Sequence, residues 1–316
     1  MVPVQEAIAR SDVWFEDGNI VIQAEQTQFK IHRGVLAAQS SVFQGMFSLP
    51  QPPSGEHEAV EGCPVVHVSD SATDIAIALR ALFLRGYVSG EALSITVVAA
   101  FVRIGTKYEI EIIRTEGLKR LLYEYPSSLS DYDEMDAWSR IVCTPSVNID
   151  AANLAREQNL LSLLPTAFYL TCAAHDAKSL TSGCPRDDGT IAMILPIDLI
   201  TCLIARESLA KVQLKTTFAW VNPYPSIYSS CGTPHKCIES RMQIMAILLL
   251  PPNNICGLDF WGRDQMNEFV DNMCTRCQRV AKKLHNDGRV EFWNKQPGCF
   301  DLPEWVEINK ERAEFT

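Results

Sequence analysis

The sequence predicts a chain in two parts: an α+β N-terminal domain, with a small sheet packed on helices, followed by a mainly α-helical domain. Three observations carry that prediction. Strand-like alternation is confined to the residues before Asp70, helical spacing of apolar residues dominates afterwards, and a polar break follows Tyr125. At 316 residues the chain is longer than one core usually grows.

The elements follow in order. Asp12-Val13-Trp14-Phe15 reads as a short strand, and Asp17-Gly18 as a turn of the hairpin kind. Asn19 to Ala24 and Thr27 to His32 read as two further strands; in the latter Phe29 and Ile31 alternate with polar neighbours. The period then changes. Val35, Leu36, Val42, Phe43, Met46 and Phe47 recur at helical spacing, with Ser40 and Ser41 placed to cap the second short helix. Pro50 to Gly62 reads as a loop, Val65 to Val68 as a strand, and helices are predicted over Ala72–Leu84, Ser94–Gly105 and Glu109–Tyr123. Gly86 and Gly90 punctuate them.

The run from Pro126 to Asp131 joins a helix stop to small polar residues, so the boundary is placed there, giving domains 1–126 and 127–316. Beyond it, helices are predicted over Ala151–Leu161, Leu163–His175, Pro196–Val221, Lys236–Leu250, Gly262–Asn286 and Pro303–Arg312. Pro223, Pro225, Pro234, Pro251, Pro252 and Pro297 act as breakers between them. No repeat of solenoid or propeller length is visible.

Bulk charge narrows the function. A net charge of −10 argues against nucleic acid as a partner, because phosphate contacts need clustered Lys and Arg. The longest apolar run, Ile191 to Ala205, is interrupted by Pro196 and Asp198 and falls short of the ~20 residues that span a bilayer. With no basic and apolar leader at Met1–Arg10, a soluble chain of the cytoplasm or nucleus is expected. Its eleven cysteines should then be mostly buried small hydrophobes, with a minority as metal ligands.

The first domain carries a resemblance. Ser11-Asp12-Val13, the run Phe29-Lys30-Ile31-His32-Arg33-Gly34-Val35-Leu36-Ala37-Ala38-Gln39-Ser40, and Val42-Phe43 with Met46-Phe47 resemble the core BTB/POZ signature. Ala81 to Tyr87, Arg103-Ile104-Gly105-Thr106-Lys107-Tyr108 and Glu109-Ile110 continue it, so that it covers roughly residues 10 to 125. It implies a sheet-and-helix unit without a catalytic centre that dimerises or recruits partners. Asp12 and Arg33 match the family's charged pair near the dimer groove, where a carboxylate beside a partly buried interface must be paired. The plainer alternative leaves Asp12 at a strand edge and Arg33 capping a helix. His32, lacking a Cys or carboxylate at useful spacing, reads as a structural histidine. The resemblance also has a departure: cullin-linked members often carry a hydrophobic-x-Glu motif after the helix at Val42–Phe47, whereas this chain runs Ser48-Leu49-Pro50-Gln51-Pro52-Pro53, with no acid before Glu56.

In the second half, Cys274-Thr275-Arg276-Cys277 is a C-x2-C and Cys231 to Cys237 a C-x5-C containing Gly232 and Pro234, with His235 as a spare donor. A C-x2-C places two thiolates on one ion, and tetrahedral zinc takes four. One structural zinc on Cys231, Cys237, Cys274 and Cys277 is therefore expected; unliganded thiols are the alternative. Redox use of the C-x2-C lacks its usual βαβ setting. The tail, with Lys283-Leu284-His285, Gly288-Arg289, Phe292-Trp293, Pro297, Phe300 and Leu302-Pro303-Glu304-Trp305, resembles the helical C-terminal half of fungal BTB proteins, which bears paired cysteines. Arg276, Arg279, Lys282, Lys283 and Arg289 form a basic run, expected to be a solvated helix face rather than a phosphate site. Trp293, Trp305, Phe292 and Phe300 are expected to be core.

No G-x-S-x-G, Walker loop, G-x-G-x-x-G or H-E-x-x-H occurs. The expected protein is a non-enzymatic interaction and oligomerisation protein, homodimeric through its first domain, with unidentified protein partners. A cullin-ligase substrate adaptor is the alternative, and a thiol-redox or metal-dependent enzyme the remote one.

Overall fold

The computed structural model describes residues 8–49, 58–84, 91–249, 255–262 and 264–315. Two compact units divide the chain: one runs to Glu124 and includes Met135–Cys143, and the other comprises Tyr125–Glu134 and Thr144–Glu314.

In the first unit, strands β1 (Ala9–Trp14), β2 (Ile20–Ala24) and β3 (Thr27–Ile31) lead to helices α1 (Arg33–Gln39) and α2 (Ser41–Ser48). Strands β4 (Ala59–Val60) and β5 (Cys63–Val68) follow, then α3 (Ala72–Phe83), α4 (Ile95–Lys107) and α5 (Glu111–Glu124). The sheet order is β1-β3-β2-β5-β4, with β1 parallel to β3, β2 antiparallel to β3 and parallel to β5, and β4 antiparallel to β5. Asp17-Gly18 is therefore a turn but not a hairpin, because β1 is carried to the outer edge beside β3. The hairpin closes instead at Glu25-Gln26, where Glu25 takes a left-handed φ of 50°. The predicted loop ending at Gly62 contains a strand: Glu61-Gly62, both left-handed, close the two-residue hairpin between β4 and β5.

Serines start three of these helices. Ser40, Ser71 and Ser94 each accept the amide of the residue three places on, satisfying one of the donors that a helix start leaves bare. Phe29, Ile31, Leu36, Phe43, Ile75, Phe101, Ile104 and Tyr108 fill the core between sheet and helices. Gly105 is required where α4 meets α5, since a Cβ there would lie 2.8 Å from the Arg114 backbone. After α5 the chain leaves and returns. Buried Glu124 accepts the amides of Trp138, Arg140 and Ile141, while Arg120 donates to the carbonyls of Glu91 and Arg140.

The second unit holds α6 (Leu129–Glu134), α7 (Val147–Glu157), α8 (Leu164–Ala174), α9 (Ala177–Ser182), an antiparallel pair of two-residue strands, β6 (Cys184–Pro185) and β7 (Ile191–Ala192), and α10 (Pro196–Lys215). Then come α11 (Pro234–Leu249), α12 (Asp264–Asp271), α13 (Thr275–Cys299) and α14 (Trp305–Ile308). The single helix predicted over Gly262–Asn286 is thus two, parted at Asn272-Met273-Cys274. Pro297 does not break α13, which ends two residues later. Trp293 stacks on Trp305 with centroids 5.1 Å apart, Phe168 meets Phe300 and Tyr169 meets Phe292, so the aromatic tail is core. Asp198 is fully buried against Arg156 in a two-point ion pair between α10 and α7. Among the described residues no helix is long and apolar enough to cross a membrane.

Candidate metal centre

Two helix starts build the cysteine site. Pro234 opens α11 with its fixed φ, and Cys237 lies in that helix's first turn. Cys231 stands in the preceding loop, its amide on the Tyr228 carbonyl. Cys274 is the N-cap of α13 and Cys277 lies in its first turn. The break between α12 and α13 is what turns the C-x2-C towards α11. Each α-helix presents unpaired N–H groups and a partial positive charge at its start, a setting that favours thiolates.

All four sulfurs lie within 4.8 Å of one another. Cys231 Sγ is 3.6 Å from Cys237 Sγ and 3.7 Å from Cys274 Sγ, and the Cys274 amide donates to Cys237 Sγ at 3.2 Å. These separations are far beyond a disulfide bond, and the thiols are free. They match the ~3.8 Å edge of a tetrahedron with metal–sulfur bonds of ~2.3 Å. The four can therefore hold a metal ion, and no other such cluster occurs among the described residues. His235 adds no donor to it.

The electrostatics suit a bound cation. The Cys277 backbone N–H brings the Cys274 thiol down to about 7, whereas burial pushes the Cys277 and Cys231 thiols up. A metal ion takes the place of the protons in such a set. Cys237 and Cys277 are buried among Phe218, Trp220, Ile244, Met266, Val270 and Met273, while Cys231 and Cys274 are partly open. Buried Arg241, on α11, donates to the carbonyls of Trp220, Pro223 and Pro225. Burial lowers its pKa, and the charges of Cys277, Cys237 and Cys231 oppose that shift. Nothing in the spacing around Arg241 marks it, and reading the sequence missed it.

The other candidates separate. Arg80, not Arg33, pairs with Asp12, through two hydrogen bonds of 2.8 and 3.0 Å that hold the carboxyl below its ordinary range. Arg33 donates to the Phe47 carbonyl and lies over the Phe47 ring, closing the C-terminal end of α2. The expected Asp12–Arg33 pair is thus replaced by two separate partnerships, each supplied by a nearby helix. His32 contacts Asp17 at 3.4 Å and the Phe15 ring, a structural setting. The basic run is also divided. Arg276 meets Tyr228, Lys283 pairs with Asp287, and Arg289 is buried on Asp133 and the Leu258 carbonyl, so it cannot join a surface stripe.

Residues 15–71, which hold strands β2 to β5 and helices α1 and α2, match the BTB/POZ domain family. The first unit contains a BTB/POZ domain. The comparison with curated proteins returned no match. BTB/POZ domains serve protein–protein interaction, and that general role extends to this chain. Of the segments carrying the BTB resemblance, Arg85 to Tyr87 lie outside the described residues, as do Gly86 and Gly90, the stretch 50–57 that bears on the cullin motif, and Pro251 and Pro252.

Proposed function

We propose that the protein is a non-enzymatic interaction and oligomerisation protein of the fungal BTB type, homodimeric through its BTB domain, with a helical unit held together by one structural zinc. The BTB match, which covers strands β2 to β5, supports the interaction reading. The helical unit would then be the part that binds unidentified protein partners in the cytoplasm or nucleus, and dimerisation doubles its valency. Asp12 and Arg33 are both exposed, each with a partner in its own chain, so a groove partner would meet them as the Asp12–Arg80 and Arg33–Phe47 pairs.

The zinc reading rests on the donor set. Four sulfurs within 4.8 Å of one another favour zinc over the hard cations, which take oxygen. When bound, the ion supplies folding energy rather than a reaction, because four protein ligands leave no open position for substrate. Cys231, Cys237, Cys274 and Cys277 would hold it, two amides and Arg241 balancing their charge.

Light scattering of the full chain tests the dimer: twice the chain mass is expected, and a strictly monomeric chain would refute it. Pull-down with a cullin N-terminal domain separates a general interaction module, which fails to bind, from an adaptor, which binds at micromolar concentration. Metal analysis of the purified protein should give about one zinc per chain.

A further inference from the structure

A row of large apolar side chains faces solvent along one edge of the helical unit. On α10, Ile197, Ile200 and Ile204 recur at i, i+3 and i+7, which is one helix face, and are 70%, 60% and 66% exposed. The extended segment before the helix adds to it: Ile191, Met193 and Leu195 are 51%, 45% and 38% exposed, alternating with buried Ala192 and Ile194. The inward face of the helix carries Asp198, Cys202, Ala205, Leu209 and Gln213, so its three isoleucines are left on the outward face. Together the six side chains offer roughly 600 Å² of apolar surface, at the top of what a monomer usually leaves in one patch.

We propose that this face is a second self-association surface, on which α10 of one copy packs antiparallel against α10 of another. Three features point to a second copy. The stripe is self-complementary: a two-fold axis between Ile200 and Thr201 sets Ile197 of each copy against Ile204 of the other, the reciprocal pairing an isologous interface requires. The area suffices, because roughly 600 Å² from each side makes about 1,200 Å², the lower end of stable interfaces. Charge agrees as well. Since the stripe occupies the first half of α10, its second half overhangs the partner's segment before Pro196. There the exposed Lys215 of one copy comes over the exposed Asp187 and Asp188 of the other, while Lys211 is paired with Glu207 of its own helix.

This surface lies wholly in the helical unit and does not depend on the BTB reading. With both interfaces present, BTB dimers are joined pairwise into larger assemblies. The test uses the full chain in two differently tagged copies, one carrying photo-reactive benzoylphenylalanine in place of Ile200. Illumination should give a covalent heterodimer whose cross-linked peptide comes from the segment 184–211 of the other copy. Light scattering of an I197E, I200E and I204E triple variant should show at least a tenfold weaker second association step, with the BTB-mediated step and helical content unchanged. An I200E single variant, milder on folding, should move the same step in the same direction. No inter-copy cross-link, a cross-link confined to another protein or to the same chain, or a mass-against-concentration curve unaltered by the glutamates would each overturn the proposal. Loss of the first step alone would instead count against the BTB dimer.

Discussion

At Cys237 and Cys277 the side chain is buried and touches other sulfurs, so replacing sulfur by oxygen there removes a ligand without opening much space. Cys237→Ser and Cys277→Ser should each cut bound zinc from about one per chain to well below half, as read by mass spectrometry of the metal. Exposed Cys143, outside the cluster, is the control: Cys143→Ser should retain the full complement. His285 yields a prediction of a different kind. It is fully buried among Phe218, Trp220 and Trp261, and its Nε2 meets the Asp259 carbonyl. Burial, with a smaller contribution from Arg289, brings its pKa down to about 4. The unfolded chain takes up a proton below about 6.5 while the folded one does not, so protons favour unfolding between those values. Stability is complete above pH 6.5 and falls by about 3 kcal/mol as the pH approaches 4. Urea denaturation of His285→Gln across that window should show a shallower decline; an unchanged slope would mean that other groups carry the acid sensitivity.

Among the elements, α5 shows how one side chain organises a segment remote in sequence. Glu124 takes three backbone amides from the returning stretch Trp138–Ile141, so Glu124→Ala leaves them without that acceptor and should cost about 3 kcal/mol. Glu124→Gln keeps one acceptor oxygen and should cost clearly less. Hydrogen exchange at Trp138, Arg140 and Ile141 would show faster opening in the alanine variant, and unaltered protection there would refute the role. That return was invisible beforehand for a physical reason: Glu124 reads as an ordinary charge at a helix end, and its partners are main-chain groups with no sequence signature. By contrast the strand at Phe29–Ile31 and the cap of α2 were legible, because Phe29 and Ile31 show a period of two and Ser40 stands before an apolar helical run. Strand partners were not: local turn chemistry at Asp17-Gly18 says that the chain bends, not which strand it will meet. The cysteine pairs were visible as spacings. Their convergence depended on the break at Asn272–Cys274, which periodicity read straight through because Met273 and Cys277 keep the helical spacing on either side of it. Asp12 and Arg33 illustrate the same limit, since each found a helix partner that a linear reading had no means of ranking.

On the scale of the whole molecule, the metal, the BTB core and the chain's division into two units bear on one measurement. The four sulfurs tie the loop before α11 to the start of α13, across 37 residues between Cys237 and Cys274, and every one of them lies in the second unit. The first unit's hydrophobic core is packed from aliphatic and aromatic residues, and none of the four cysteines belongs to it. A metal that binds only the folded helical unit stabilises that unit by about 4 kcal/mol when free zinc is roughly 1,000 times its dissociation constant. For a unit of this size that is a shift of about 10 °C in its melting temperature. Removing zinc with a chelator should therefore lower one calorimetric transition and leave a second, belonging to the BTB unit, where it was. Hydrogen exchange should assign them: protection falls in α11 and the start of α13 and holds in β2, β3 and α4. Lowering the pH should mimic the chelator, because protons compete with the metal for thiolates. Restoring zinc at neutral pH should bring the lowered transition back. If the chelated protein melts as before, or if both transitions fall together, the cysteines do not carry a metal that stabilises the helical unit alone.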